Sequence, residues 1–368
     1  MPLATAFAVA SLATAVSETP AGAANAYLCG TYWVVEVGAL KKGEDAPPED
    51  GSRTLRFIYD TGASNTSVDP DSLERVFGNR ISSGTTVTIR NAVSGSARYD
   101  KLPAKVRELD HIFTALGHPV DGILGHSGFG PYLVTLDYAG EEIRLAKGSL
   151  PKPDGETIFT TRGPDPRPWL IVDFDGDAEK VLIDSGSGDA FSLNDVASRR
   201  IEAPPAPIGS SVRIDRIEIN TAARLSGEAR FGRYRFQKPV LETVPRTQLM
   251  GGDAMRHFTV TYDNRRRRVR FERAASGPIV SPPRYEFGAS LKPVRGSFEV
   301  LDVFDDAPAA DAGLRKGDVI TRLNGKPIAE RGCPRTDGPE APGNVAATIL
   351  RDGVELAITI EFDEPLVH

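Results

Sequence analysis

Residues 56–64 read RFIYDTGAS, and residues 180–188 read KVLIDSGSG. Asp60 and Asp184 stand 124 positions apart, each at the end of an apolar run and each followed by a hydroxyl residue and a glycine. A pattern carried twice constrains a chain to build one kind of unit twice. Other blocks return in the same order. DGILG (121–125) matches TQLMG (247–251) at an offset of 126, and VTLDYAGEEIRL (134–145) matches VTYDNRRRRVRF (260–271) at the same offset. VSGSARY (93–99) resembles LSGEARF (225–231) at an offset of 132. YWVVEV (32–37) and WLIVDF (169–174) open the two copies.

The repeated blocks are β-branched and aromatic runs bounded by Gly, Pro and Asp, so the expected class is mainly β. With 36 Gly and 28 Pro in 368 residues, turns are plentiful and long helices are not expected. Two lobes are expected, at 27–150 and 151–275, joined near Gly163–Pro168. The net charge of −6 gives no electrostatic case for nucleic acid as a partner. Two cysteines and five histidines do not suit a cysteine-built zinc site or a histidine-based metal centre.

Each lobe delivers an aspartate on an apolar strand into a turn that glycine makes sharp. The hydroxyls of Thr61 and Ser185 can reach the other lobe's backbone. If the lobes meet about a twofold axis, Asp60 and Asp184 lie side by side. Two close carboxylates do not both ionise easily, so they share one proton. Ser187 stands where lobe one has Ala63. Its hydroxyl is expected to donate to Asp184 and favour the charged form, leaving the proton on Asp60. Asp189 is expected to be a solvated turn residue.

These motifs resemble the aspartic proteases of the retropepsin and pepsin kind. The resemblance rests on Asp60-Thr61-Gly62-Ala63-Ser64, Asp184-Ser185-Gly186-Ser187, Ile123-Leu124-Gly125 and Leu249-Met250-Gly251. It implies two tandem retropepsin-like β-barrel lobes. Asp60 and Asp184 would be the catalytic pair acting on water and a peptide carbonyl. Thr61, Gly62, Ala63, Ser185, Gly186 and Ser187 would support them. The two apolar-Gly segments would form the floor. It further implies a covering flap at Ser94-Gly95-Ser96, with Ser226-Gly227-Glu228 as its counterpart. No metal or organic cofactor is implied.

The apolar stretch Leu3–Val16 is shorter than the roughly 20 residues that span a bilayer. With small residues at 21–26 it fits an export signal over 1–26, although no Lys or Arg precedes Lys41. Cys29 and Cys333 could pair after export; nothing in their local sequence argues for it. Gly125-His126-Ser127-Gly128-Phe129 approximates a serine-hydrolase elbow but ends in Phe rather than Gly. The run Arg265–Arg268 reads as a solvated hairpin turn.

After a linker at 276–284 come two strand-like runs, then Asp306–Ile320 (DAPAADAGLRKGDVI) and Leu323-Asn324-Gly325-Lys326-Pro327-Ile328. This run resembles the core of bacterial PDZ domains and implies a small α+β domain over 285–368. By that resemblance Phe287-Gly288-Ala289-Ser290-Leu291 would bind a peptide end by strand addition. The other wall of such a groove is a helix. Residues 329–345 carry Pro334, Pro339, Pro342 and three glycines, which are poor material for one.

The expected function is therefore an exported, single-chain aspartic endopeptidase acting on a peptide or protein substrate, whose single-chain active site allows a monomer, with a PDZ-like domain for substrate or partner docking. The alternative is a catalytically silent peptide-binding or adaptor protein.

Overall fold

The computed structural model describes residues 18–212, 214–333 and 341–367. The apolar stretch 3–16 and residues 334–340 of the proline-rich stretch lie outside the described residues. The fold is mainly β, with barrel-like sheets and a tail domain.

In lobe one the apolar strand Tyr32–Ala39 pairs with Thr54–Asp60, which runs parallel to Gly122–Gly125. The seven-stranded sheet closes on itself where Gly38 meets Val93. Lobe two repeats the plan. Trp169–Phe174 pairs with Asp177–Ile183, which runs parallel to Leu249–Met250.

A third sheet joins the lobes. Leu133–Asp137 pairs antiparallel with Thr259–Asp263, and Thr135 faces Thr261 with hydroxyl oxygens 2.9 Å apart. The block that recurs at an offset of 126 thus meets its own copy. Both lobes share one core, from Trp33, Phe57 and Tyr59 through Phe174, Phe231 and Phe271. Thr19–Ala23 adds an edge strand to the joining sheet, paired with Glu142–Lys147.

One repeat block is corrected. The tight turn Ser94–Ala97 corresponds in its pairing to Phe231–Tyr234, not to Ser226–Glu228. Gly95 and Gly232 take matching φ values of 53° and 51°. Gly227 instead packs against Asp175, whose Oδ1 would stand 2.1 Å from any Cβ there. Similar letters aligned the wrong glycine. The arginine run is corrected as well: Arg267 donates to Asp165 O at 2.6 Å and Arg268 to Leu150 O at 2.7 Å, so it buttresses the inter-lobe join.

The tail has its own core, built on Phe287, Leu291, Phe298, Ile320, Ile349 and Phe362. Its sheet begins at the edge strand Ala289–Val294, which pairs with Ser297–Val303. The linker is not a free tether: Ile279–Val280 pairs parallel to Tyr234–Gln237. Cys29 of lobe one is disulfide-bonded to Cys333 of the tail.

Candidate functional site

The two Asp-(Thr/Ser)-Gly loops meet across the lobe interface. Thr61 Oγ1 donates to Ile183 O at 2.7 Å, and Ser185 Oγ donates to Tyr59 O at 2.7 Å. Each hydroxyl oxygen also accepts from the other residue's backbone N–H, at 3.0 Å both ways. Thr61 and Ser185 are buried, so these four bonds satisfy groups that water cannot reach.

Glycine decides how close the aspartates come. A Cβ on Gly62 would sit 2.3 Å from Asp184 Cγ, and one on Gly186 would sit 2.4 Å from Asp60 Cγ. Each carboxyl group therefore rests on the other loop's glycine, and the two are hydrogen-bonded to each other. Ala63 N–H donates to Asp60 Oδ1 at 2.7 Å and Gly186 N–H to Asp184 Oδ1 at 2.9 Å. Burial, and then the charge of Asp184, push the Asp60 carboxyl well above the ordinary carboxylate range. Asp60 is thus suited to hold a proton. A carboxyl and a carboxylate side by side can donate one proton and accept another, the chemistry of a general acid and base.

The two apolar-Gly segments lie beneath these loops. Asp60 pairs with Gly125 and Ile58 with Ile123, while Ile183 pairs with Met250. The glycines are again steric. A Cβ on Gly125 would stand 2.8 Å from Asn65 C, and one on Gly251 would stand 2.4 Å from Asp189 O. Leu124 and Met250 are buried in the shared core.

Ser187 differs from expectation. Its hydroxyl donates to Asp189 Oδ2 at 3.3 Å, and Ser192 donates to the same oxygen at 2.9 Å. Asp189 draws that hydroxyl away from Asp184 and is a structural anchor of the loop rather than a solvated turn residue.

The pair faces a cavity of about 490 Å³. The hairpin tip at Ser94–Ser96 does not line it. Ser94 Oγ is bonded to Asn25, and Ser96 N–H donates to Ala23 O at 2.8 Å, so this turn is tied to the N-terminal strand. Three other elements wall the cavity: the helix Asp110–Leu116, the hairpin of Ala206–Val212 and Ile217–Arg224, and tail residues Phe287, Ala289, Leu291 and Phe298.

The sequence reading missed Arg167, which donates to Gly62 O at 2.8 Å while paired with Asp165. It also missed a buried charge chain. Arg284, in the linker, is paired with both Glu242 of lobe two and Glu286 of the tail, and Asn220 donates to Glu242. Burial and the nearby Asp189 push Glu242 up to about 8, while Arg284 pulls it down. Arg284 and Glu242, so far apart in sequence, signal nothing until the fold buries them together.

Residues 286–361 match the PDZ domain family. The tail is a PDZ domain. The chain is 39% identical over 72 residues to the periplasmic serine endoprotease DegP of Escherichia coli K12, and 36% identical over 72 residues to that of Salmonella typhimurium. Each match covers 19% of this chain and lies in the PDZ region; the chain spans 15% of the length of the curated relatives it matches. These findings overturn the expected catalytic type. The relatives are serine endoproteases by name, so the chain is not assigned to the aspartic endopeptidases, nor its lobes to the retropepsin-like family. The family model and the relatives alike describe the PDZ domain.

Proposed function

We propose that this chain takes extended polypeptide into the cleft between its lobes, as a peptide-processing protein that works outside the cytoplasm. The observation that carries this reading is the hydrogen-bonded Asp60–Asp184 pair at the base of a cavity walled by both lobes and the PDZ domain. Asp60 and Asp184 are the proposed site residues, with Asp60 suited to hold the proton. Thr61, Ser185, Gly62 and Gly186 hold them together. The periplasmic relatives support export. The PDZ domain supports a peptide partner, because such domains add a peptide strand to a sheet edge.

The relatives' names are the support for a serine centre. In the elbow-like run the His126 ring Nδ1 lies 3.1 Å from Ala63 O, and His126 N–H donates to the same oxygen at 3.0 Å. That imidazole is engaged with the lobe-one loop.

The test is denatured casein incubated with the purified chain from acid to neutral pH. Asp60→Asn and Asp184→Asn variants and a serine-directed fluorophosphonate serve as arms. Processing that falls in both variants and survives the fluorophosphonate supports the proposed residues. Processing that the fluorophosphonate blocks and the variants retain overturns them.

A further inference from the structure

The open edge of the PDZ sheet is already occupied. In the strand Ala289–Val294, Leu291 is paired with Val300. Val300 directs its own N–H to Asp318 O and its C=O to Gly317 N–H. The backbone groups of Leu291 therefore face the free edge, where a ligand strand would add. Ser210 of lobe two stands there instead. Leu291 N–H donates to Ser210 Oγ, and Ser210 Oγ donates to Leu291 O, both at 2.9 Å. One hydroxyl thus replaces one rung of a ladder.

Lobe one holds the same strand and its turn from the other side. Gly296 N–H donates to Thr114 Oγ1 at 3.3 Å, Arg331 donates to Ala115 O at 2.6 Å, and Gly332 N–H donates to Gly117 O at 3.0 Å. The Cys29–Cys333 bond fixes the same corner. The elements that pack against this strand also roof the carboxyl pair: Ile112, Ala115 and Leu116 on one side, Ile208 to Val212 on the other.

We propose that the PDZ groove is a peptide-accepting edge held shut in cis, and that a polypeptide C-terminus taking this edge lifts Ala206–Val212 off the Asp60–Asp184 cavity. The ligand class is a free C-terminal carboxylate on an apolar last residue, bound as an added strand. The consequence for the cleft rests on the peptide-processing reading above; the competition at the edge does not. Closure lowers apparent affinity by the fraction of molecules that are open.

The experiment uses the full oxidised chain. Its probe is a pool of fluorescein-labelled random octapeptides ending in Val, Leu or Phe with a free carboxylate; an amidated twin pool is the control. Anisotropy is read on wild type and on Ser210→Arg, which removes the rung and crowds the hairpin off the edge. The carboxylate pool is expected to bind the variant about tenfold tighter than wild type, with no such gain for the amide pool. Amide-pool binding reports the cleft, so failure of the cleft reading shows separately. Hydrogen exchange on Ser210→Ala guards against misfolding of the larger variant, with faster exchange expected at Leu291. Saturating carboxylate pool is expected to deprotect 206–212 in wild type. Equal affinity in wild type and Ser210→Arg, equal binding of the two pools, or unchanged exchange at Leu291 would overturn the proposal.

Discussion

Below the carboxyl pair, lobe one repeats lobe two bond for bond: Thr61 reaches Ile183 O as Ser185 reaches Tyr59 O, and Gly62 bears on Asp184 as Gly186 bears on Asp60. Above the pair the lobes part. Lobe one contributes the short helix Asp110–Leu116, and lobe two contributes the hairpin of Ala206–Val212 and Ile217–Arg224. The PDZ domain rests on both. The difference teaches where constraint lies. The floor has one solution, because four buried hydrogen bonds and two missing Cβ atoms must coincide. The roof has no such requirement, and each lobe fills it differently.

The symmetric half breaks most severely. Thr61→Val keeps the shape but removes the hydroxyl, leaving Ile183 O without its donor and Ser185 N–H without its acceptor in a buried site. The expected loss is about 3 kcal/mol, from roughly 1–3 kcal/mol per stranded group, read from urea unfolding. Ser185→Ala is expected to cost a similar amount. A large disparity between the two would show that the floor is less symmetric than its bonds.

The roof responds next. Cys333→Ser releases the PDZ domain from lobe one, for an expected loss of about 2–5 kcal/mol. Hydrogen exchange is expected to rise over 110–117 and to stay unchanged over the floor strands. Exchange rising equally in both would mean that floor and roof are one cooperative unit.

A smaller effect concerns pH. The folded Asp60 carboxyl is raised above its unfolded value of 3.8, so it binds its proton more tightly in the native state. Its stabilising contribution is complete below that unfolded value and is lost as pH rises through the folded one. Asp60→Asn removes the cost of keeping that buried carboxyl protonated beside Asp184 as the pH rises. It is expected to raise Tm relative to wild type at neutral pH and to lose that advantage in acid. The smallest effect is expected from Ser127→Ala in the elbow-like run, which should leave casein processing unchanged.

The floor was legible in the sequence because its parts are local and repeated. Asp-(Thr/Ser)-Gly after an apolar run, and an apolar-Gly segment downstream, each fit within a few residues. The PDZ domain was legible for the same reason, through Gly313-Leu314 and Gly317-Asp318-Val319-Ile320. The roof was not. Ala206–Val212 reads APIGSSV, with a proline and a glycine and no clean alternation, and so resembles a loop. Asp110–Leu116 follows Leu109, whose side chain makes no capping bond, so the usual start signal is missing. Ser210–Leu291, Arg167–Gly62 and Cys29–Cys333 join residues 81, 105 and 304 positions apart. Such contacts exist only once the chain has folded. The flap was misplaced because a Gly-containing turn in lobe one had the right look and the wrong neighbours.

The central claim is that Asp60 and Asp184 form one proton-sharing site. Carbon-13 NMR titration of the aspartate carboxyls, with Asp60→Asn and Asp184→Asn for assignment, measures it directly. The Asp60 carboxyl is expected to keep its proton well above pH 3.8, and that retention to weaken in Asp184→Asn, where burial alone sustains it. Two carboxyls titrating independently in the ordinary range, each unmoved by loss of the other, would contradict it.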